Sequence, residues 1–595
     1  MGRRAILVCE DLEGPAAQLA KLLDFFEVPW ERLGPGSLAS SGVHSGEEEY
    51  CVLAAMPLVG SIVMKRRSCT DLSLLLQRAE SVFFFGGDLS AATRVLLQFV
   101  TQCASAGMTQ IRKQEIFCFV SDHRIDVCGP MSGLRVPVPV QEQQLAMSCL
   151  PCDSHIDPLI STKEGCVFVV VDFKGTPCYL ASSPTVIDIN RPLEKRYFDV
   201  ADDFLASVPV VMYLRHAFAR VMLSPAENGA CLIVDDPVLR PKYGFVDFQK
   251  LAALTGDHDF TCNVAFIPWN WRRSRSSVIE LFKKNDSRFS LSIHGCDHTA
   301  SEFGGDDVAS INAKTKLAQS RMKRHRHRTD LSFEAVMVFP HGAFSAVSPS
   351  VLKCNGFVAA VNTELSPTDQ PFKTEIADAW GMAILKYADL AIYSRRYAVQ
   401  GLHNFAFDVL LGKPCLIVTH HADFRDQCRD LVDFIGRLNS LPILLKWRTL
   451  GEVIRRAYQQ RLLSDGTQQI RMFGNEILVE NTSKAVRRIL VEKNDSAPEA
   501  VKRVVVAGHE IPFSSSSGRL RFALNLAGLK SALIRVEFKD IYGEARPARS
   551  LKTQVRVVVR RCLSEFRDEA QARAPWVYAC AERARNIVAR PSRTA

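Results

Sequence analysis

The sequence contains no run of about 18 apolar residues, the length that a membrane-spanning helix needs. Its best candidate, Phe204–Phe218, is interrupted by Arg215 and His216. Near the N-terminus a run of only five apolar residues, 5–9, precedes the first acidic residues, which is too short for the core of a signal peptide. We therefore expect neither a membrane span nor a secretion signal, and residues 5–9 are interpreted as a first β-strand.

Several common binding motifs are also missing. No second cysteine pair accompanies Cys149 and Cys152, so a four-cysteine zinc site is not indicated. Gly86 and Gly87 follow a strand-like segment but do not form G-x-G-x-x-G, which makes them weak evidence for nucleotide binding. The 18 cysteines are scattered singly, which argues against a secreted disulfide scaffold and favours reduced thiols in a cytoplasmic protein.

The length of 595 residues predicts about three to four domains. Residues 1–200 alternate short apolar strands with helical patterns, which predicts an α/β, Rossmann-like domain with a mainly parallel sheet. Residues 205–465 repeat a longer unit of strand, polar loop and helix. Residues 468–540 alternate apolar and polar positions between turn signals, as in a small antiparallel β-sandwich, and residues 541–595 read as a basic helical tail.

This tail carries most of the charge imbalance of the chain. The net charge is +10, and residues 541–595 contain twelve basic and five acidic residues. Apolar residues recur in the tail at helical spacing, at Val555, Val558, Val559, Leu563 and Phe566. Such a helix could bind an anionic membrane surface, which would make the protein peripheral at the inner membrane. It could also bind a glycan-assembly partner, or pack on its own protein.

Chemistry-bearing side chains follow two strand-like segments in the middle of the chain. Asp235 and Asp236 come directly after an apolar run. Two adjacent carboxylates repel each other, which raises the pKa of one of them unless a cation lies beside them. His294 and His298 follow the second segment, and their spacing lets both imidazoles face one point. The histidine pair is not part of H-E-x-x-H. One aspartate and two histidines would leave metal positions open for water and substrate, as a catalytic site requires.

Two further strand-like segments end in histidine. His341 follows VMVFP, and His420 and His421 follow PCLIVT. Four strand ends therefore present Asp or His where the chain leaves the strand. In α/β barrels the active site is built at the carboxyl ends of the strands.

The order of these segments resembles the polysaccharide deacetylase superfamily, that is, the NodB-homology domain of carbohydrate esterase family 4. Five strings carry the resemblance: DDPVLRPKYGF, FIPWNWRRS, SIHGCDH, MVFPHGAFS and VTHHADF. These strings are similar to a bacterial branch of the superfamily. The resemblance covers residues 205–465 and implies a distorted (β/α) barrel there. It implies nothing about residues 1–200.

The resemblance also implies roles for the aspartates and histidines. Asp235 would be the general base that takes a proton from water, while Asp236, His294 and His298 would hold one divalent metal. Two histidines and a carboxylate suit zinc best, and also Co, Ni, Mn or Fe.

The remaining roles concern the oxyanion and the leaving group. The backbone beside His341 would help to bind the oxyanion, and His420 or His421 would protonate the departing amine. The chain departs from the family pattern in its third motif, where Val338 replaces the arginine that normally pairs with the catalytic aspartate, and His341 replaces a tyrosine. Arg240, Arg395 or Arg396 could pair with the catalytic aspartate in place of the missing arginine.

Candidate substrate-binding residues lie near the first two motifs. Trp269, Trp271 and Arg272 fall on one predicted loop, where indole faces could stack on a sugar and guanidinium groups could bind an anion. A packed tryptophan core with solvated arginines explains the same pattern. Arg240 and Tyr243, which follow the aspartate pair, are further candidates.

We therefore predict a metal-dependent hydrolase that removes acetyl from an N-acetylated amino sugar or glycoconjugate precursor. One alternative is another C–N bond hydrolase on the same scaffold. A second is a non-catalytic glycan-binding or assembly protein, which the missing arginine favours. Nucleic acid is not expected as a partner, because the basic run 321–328 has no interleaved aromatic residues.

Overall fold

The structure is a computed structural model of the chain. It describes residues 3–34, 49–65, 76, 78–139, 143–148, 155–299, 301–544 and 551–573. The cysteine pair Cys149 and Cys152 lies outside the described residues, as does the end of the tail beyond residue 573.

Residues 4–181 form an eleven-stranded sheet that is parallel only in part. Its parallel strands are Arg4–Val8, Trp30–Leu33, Tyr50–Ala55, Ser81–Phe85 and Thr176–Ala181. Its remaining strands, which pair antiparallel, are Gly107–Gln110, Glu115–Val120, Arg135–Pro139, Leu145–Ser148, Ile156–Thr162 and Gly165–Phe173. The helices described in this region are Gly14–Phe25, Met56–Met64, Ala91–Thr101 and Ile125–Cys128, with a 3-10 turn at Gly129–Met131.

The prediction of a mainly parallel sheet is therefore wrong for the second half of this region. Strand Gly165–Phe173 is joined to Thr176–Ala181 by only Lys174 and Gly175, which have φ values of 56° and 89°. Two residues with positive φ form a tight hairpin, whereas a parallel pairing needs a crossover of a dozen or more residues.

Residues 228–447 form a nine-stranded sheet in which every pairing is parallel. Its strands are Asn228–Asp235, Cys262–Phe266, Phe289–His294, Val336–Val338, Ala359–Asn362, Ile392–Ser394, Arg396–Tyr397, Cys415–Thr419 and Leu445–Trp447. The accompanying helices are Phe204–Ala217, Phe248–Asp257, Ser276–Lys284, Val308–Thr329, Ser348–Cys354, Ile376–Trp380, Leu402–Leu410, Arg429–Asn439 and Leu450–Arg456. Short elements between them are the hairpin Lys242–Tyr243 with Val246–Asp247, and the 3-10 turns Pro268–Asn270, Pro340–Gly342, Ala398–Gln400 and His421–Cys428.

The nine-stranded sheet, which we call the barrel sheet, is nearly closed. The two ends of its strand order are Ile392–Ser394 and Arg396–Tyr397, and only Arg395 separates them along the chain. One edge pairs with Ala359–Asn362 and the other with Cys415–Thr419, so the seam of the barrel lies at Arg395. The prediction of a mixed α/β protein with a barrel-like sheet is confirmed.

The local sequence explains why these segments form parallel strands. Cys231, Leu232, Ile233 and Val234 are all fully buried, as in a strand covered on both faces, and such strands read as continuous apolar runs. Because all the strands point the same way, their carboxyl ends meet at one rim. The polar residue after each apolar run is thereby brought to that rim.

Residues 459–538 form two sheets around one shared apolar core. The first sheet contains Ser224–Pro225, Gln459–Leu462, Gln468–Met472, Arg487–Asn494, Ser514–Ser516 and Arg519–Leu526. The second contains Glu476–Glu480, Val501–Val506, His509–Ile511 and Ser531–Phe538, and the 3-10 turn Pro498–Ala500 lies between strands. All pairs are antiparallel except Gln468–Met472 with Arg487–Asn494.

The last described element is a long helix, Leu551–Arg573, which we call the C-terminal helix. It is amphipathic and lies against the barrel rim, where its side chains meet the residues of the strand ends. Within the described residues, no helix is both long enough and apolar enough to cross a membrane.

Candidate active site

A cavity of about 1110 Å³ opens at the carboxyl rim of the barrel sheet. The predicted site residues on its wall are Asp235, Asp236, His294, His298, His341 and His420. Residues from strand ends thus face residues of the C-terminal helix across one space.

Asp236, His294 and His298 converge on one point in this cavity. Oδ1 of Asp236 lies 2.9 Å from Nε2 of His298 and 3.3 Å from Nε2 of His294. The three potential ligand atoms lie within 4.8 Å of one another. Two neutral imidazoles and one carboxylate are a donor set that divalent transition metals favour.

The electrostatics of the three residues fit a bound cation. Burial raises the pKa of Asp236 while the two imidazoles lower it, and the net effect holds that pKa well below 3.8. Oδ1 is buried and has no hydrogen-bond partner of good geometry among the described residues. An ionised, buried carboxylate oxygen beside two imidazole nitrogens is an environment that suits a divalent cation.

The two histidines are held from behind by neighbouring groups. Nδ1 of His294 lies 2.9 Å from the carbonyl oxygen of Val338, and a proton on Nδ1 leaves Nε2 free to bind a metal. The loop before His298 wraps around the buried carboxylate of Glu302, which accepts the backbone N–H groups of Cys296, Asp297 and His298 at 2.8 to 3.1 Å. Sequence reasoning missed Glu302, although it lies only four residues after His298.

Asp235 is paired with Arg395. Both oxygens of the carboxylate accept hydrogen bonds of 2.7 Å from the guanidinium, and the two side chains are 4% and 2% exposed. Burial raises the pKa of Asp235, but Arg395 and nearby histidines lower it, and the net pKa is below 3.8. Arg395 therefore supplies the partner that the third motif lacks at Val338, and it does so from the seam of the barrel.

The two candidates for the general acid face different environments. His420 lines the cavity, its side chain is 41% exposed, and its Nε2 lies 3.9 Å from Oδ2 of Asp235. His421 is buried, stacks on Phe245 with ring centroids 6.0 Å apart, and places Nε2 3.4 Å from Oδ1 of Asp568. The structure therefore brings His420 to the other site residues and turns His421 away from them.

His341 lies on the cavity wall beside His298, with ring centroids 4.7 Å apart. Its φ of 57° is left-handed, in the tight turn Pro340–Gly342. Burial and the neighbouring His298 lower the pKa of its imidazole to about 4, so the ring is neutral at physiological pH.

The predicted sugar-stacking loop does not face the cavity. The guanidinium of Arg273 lies 5.2 Å from the ring centroid of Trp269, and that of Arg272 lies 4.5 Å from the ring centroid of Trp271. Trp271 lines a separate groove. Each indole thus has an arginine over its ring, and the structure places this loop outside the cavity that holds the metal-ligand candidates.

Tyr243 and Arg240 are likewise not on the cavity wall. The buried hydroxyl of Tyr243 donates a hydrogen bond of 2.7 Å to Oδ2 of Asp568, so this residue anchors the C-terminal helix. Arg240 is half-buried and does not line the cavity.

The helix of the tail packs on its own protein, which was one of the three arrangements its spacing allowed. All five apolar residues of the tail are exposed, and three of them, Val555, Val559 and Leu563, lie on the wall of the open cavity. That this helix covers the barrel rim could not be read from its own sequence, because the contacts that hold it come from distant segments.

The strand-end motifs, their order and the nearly closed parallel sheet converge on one description. The five motifs that carry the resemblance to the NodB-homology deacetylases all follow strands of this one parallel sheet. The arginine that the third motif lacks is replaced by Arg395, which pairs with Asp235 of the first motif.

No family model and no curated protein matches the sequence. The structure is similar to that of Agd3, a carbohydrate deacetylase, with a TM-score of 0.49 and 9% identity over 90% of this chain and 98% of that chain. A family 4 carbohydrate esterase from Bacillus anthracis gives a TM-score of 0.25, with 11% identity over 39% of this chain and 86% of that chain.

A protein described as a pseudoenzyme is also among the similar structures. BA3943 of Bacillus anthracis, a family 4 pseudoenzyme, has a TM-score of 0.25 and 10% identity, over 38% of this chain and 66% of that chain.

Proposed function

We propose that this protein is a metal-dependent hydrolase that removes acetyl from an N-acetylated amino sugar or glycoconjugate precursor. The observation that carries the proposal is the convergence of a metal-ligand set, an ionised aspartate and a half-exposed histidine in one cavity. These are the groups that amide hydrolysis needs: a site for a Lewis acid, a base and an acid.

Asp236, His294 and His298 would hold the divalent metal, with zinc as the first candidate and Co, Ni, Mn or Fe as the others. When bound, such a metal lowers the pKa of a water molecule towards neutrality and polarises the acetamide carbonyl. Asp235 accepts the proton of the attacking water, and its pairing with Arg395 keeps it ionised and oriented for that task.

The leaving group needs a proton, because an amide anion is a very poor leaving group. His420 donates this proton from Nε2, which is accessible from the cavity and close to Asp235. A backbone N–H beside His341 contributes to binding the oxyanion. His421 takes no part in this mechanism, since its ring is directed to Asp568.

The main alternative, a non-catalytic glycan-binding protein, rested on the missing arginine of the third motif. The Asp235–Arg395 pair removes that reason, since the charge partner is present on another strand. Hydrolysis of a different C–N bond would use the same groups, and only the substrate distinguishes it from deacetylation.

The test begins with the metal, because it needs no guess at the substrate. Purified wild-type protein, Asp236→Ala and His298→Ala are analysed for metal by mass spectrometry, with His327→Ala, an exposed histidine on helix Val308–Thr329, as the matched control. We expect about one divalent ion per chain in the wild type and the control, and its loss in both site variants with unchanged circular dichroism. Acetate release from N-acetylated sugars is then measured on the same samples.

Absence of metal from the wild type, even after incubation with Zn, Co, Ni or Mn, would refute the proposed mechanism. Metal binding without acetate release from any N-acetylated sugar, but with release of another acyl group or of ammonia, would favour the other C–N hydrolase.

A further inference from the structure

The C-terminal helix is anchored to the barrel through its second half. Glu565 forms a bidentate ion pair with Arg273, in which Nη2 and Oε2 are 2.7 Å apart. Oδ2 of Asp568 accepts a hydrogen bond of 2.7 Å from the hydroxyl of Tyr243, and Oδ1 of Asp568 lies 3.4 Å from Nε2 of His421. These contacts fix which face of the helix is turned to the cavity.

Three arginines on that face form no ion pair with any of the residues that the structure describes. Arg556, Arg560 and Arg561 line the cavity. The ion pairs of this helix within the described chain involve its other charged residues, and none of these three. Arg560 lies with Nη2 3.4 Å from Nε2 of His341, a neutral acceptor.

Arg561 combines burial with unsatisfied N–H groups. Its side chain is buried, with the residue only 2% exposed, yet Nε and Nη2 have no hydrogen-bond partner among the described residues. A buried guanidinium with unsatisfied N–H groups is strongly unfavourable unless an anion or another acceptor reaches it. The cavity is the side from which such a group can arrive.

The carboxylates on the cavity wall are already engaged. Asp235 is bound to Arg395, and Asp236 belongs to the metal-ligand set. Glu364 lies 3.6 Å from the exposed Arg196. The positive charge of the helix face therefore remains available for an anion that enters from solvent.

We propose that Arg556, Arg560 and Arg561 form an anion subsite at the mouth of the candidate active site, and that the substrate is an N-acetylated sugar carrying a phosphate ester or diphosphate. This inference rests on the proposed function. Guanidinium groups match the geometry of phosphate oxygens, and several of them together suit a group with more than one negative charge.

The phosphate could belong to either of two carriers. A nucleotide-linked sugar presents it in solution, whereas a polyprenyl-linked sugar presents it beside a hydrocarbon chain. Val555, Val559 and Leu563 line the same cavity between the arginines and would contact such a chain. The two carriers share the phosphate chemistry, and the assay below separates them.

The first experiment measures binding of inorganic pyrophosphate by calorimetry to the full-length His298→Ala variant. Removal of a metal ligand prevents pyrophosphate from binding through the metal. We expect saturable binding that weakens at least tenfold when Arg556→Gln and Arg560→Gln are added. The matched control is Arg573→Gln, on the same helix but paired with Glu569 and away from the cavity wall.

No binding of pyrophosphate, or an equal loss in the Arg573→Gln control, would overturn the subsite. Both substituted arginines lie on the surface of the helix, so circular dichroism should be unchanged and a weaker affinity can be assigned to the lost charges.

The second experiment measures acetate release by the metal-loaded wild type from N-acetylglucosamine, its UDP-linked form and its polyprenyl diphosphate-linked form in detergent. We expect kcat/KM at least tenfold higher for one phosphate-bearing form, and loss of this preference in Arg556→Gln/Arg560→Gln. Equal rates on the neutral sugar would overturn the subsite and leave the deacetylase intact. Pyrophosphate binding without acetate release from any of the three would support the subsite and count against the deacetylase.

Discussion

Substitution of Arg395 by methionine should destabilise the barrel strongly, because it leaves Asp235 as a buried charge without its partner. The guanidinium makes two hydrogen bonds of 2.7 Å to that carboxylate, and both side chains are almost completely buried. Charge-assisted hydrogen bonds contribute roughly 1.5–3 kcal/mol each. Breaking a buried ion pair by removing one partner costs about 3–5 kcal/mol, and we expect Arg395→Met to lower the free energy of unfolding by that amount.

The matched control is Arg196→Met. Arg196 also lines the cavity, but its pair with Glu364 is 3.6 Å long and its side chain is 84% exposed. Removing such an exposed pair should change the free energy of unfolding by roughly 0–1 kcal/mol. The double variant Asp235→Asn/Arg395→Met loses both charges, so it should be less destabilised than the sum of the single variants, with a coupling of up to about 3 kcal/mol.

The assay is urea unfolding of the full-length protein followed by tryptophan fluorescence. Most of the reporting side chains lie in the barrel region, at Trp269, Trp271, Trp380 and Trp447. A loss below about 1 kcal/mol for Arg395→Met, or strict additivity in the double variant, would show that this pair behaves like a surface salt bridge. The reasoning from burial would then be refuted.

Three further predictions concern other parts of the barrel. Asp408 lies between Arg396 and Lys413, at 2.6 and 3.3 Å, all three being buried, so Asp408→Asn should lower the free energy of unfolding by about 3–5 kcal/mol at pH 7. Burial raises the pKa of Asp408 but the two cations lower it to below 3.8, so the stabilisation exists above about pH 4 and fades as pH falls through the folded pKa. Urea unfolding at pH 7 and pH 3 checks this, and a difference that does not shrink in acid would contradict it. His420→Gln should lower kcat for acetate release roughly 10²–10⁴-fold with unchanged metal content, and parallel loss of metal would instead make it a ligand. Glu302→Gln should weaken zinc affinity about 10–100-fold in a chelator competition, since the amide cannot hold three backbone N–H groups around His298, and an unchanged affinity would count against this positioning role.

Part of the site was predictable because its signal is local. An apolar run followed by Asp or His marks a strand that ends in a polar side chain, and parallel strands bring those ends to one rim. This pattern groups an aspartate with His294 and His298, the family resemblance implies that the aspartate is Asp236, and the structure places the three ligand atoms together. His420 and His421 could not be separated in this way, because adjacent residues at a strand end point in different directions that the chain after them decides.

Other parts of the site depend on contacts across long stretches of chain. Arg395 is 160 residues from Asp235, and it reaches that carboxylate only because the barrel closes at its position. The indole faces of Trp269 and Trp271 looked available from sequence, but arginines lie over their rings. Such contacts depend on which segments the tertiary fold brings together, and no local pattern encodes that.

The sequence by itself determined the mixed α/β character and the identity of the polar residues at the carboxyl ends of the strands, because these follow from periodicity and from the burial of apolar runs, while the barrel was implied by the family resemblance. Only the tertiary structure decided that Arg395 neutralises Asp235, that Glu302 holds the loop of His298, and that the C-terminal helix brings to the cavity arginines without an ion-pair partner in the described part of the chain. Each of these arises where separate segments meet, and the free energy of a buried charge depends on its neighbours in space rather than along the chain.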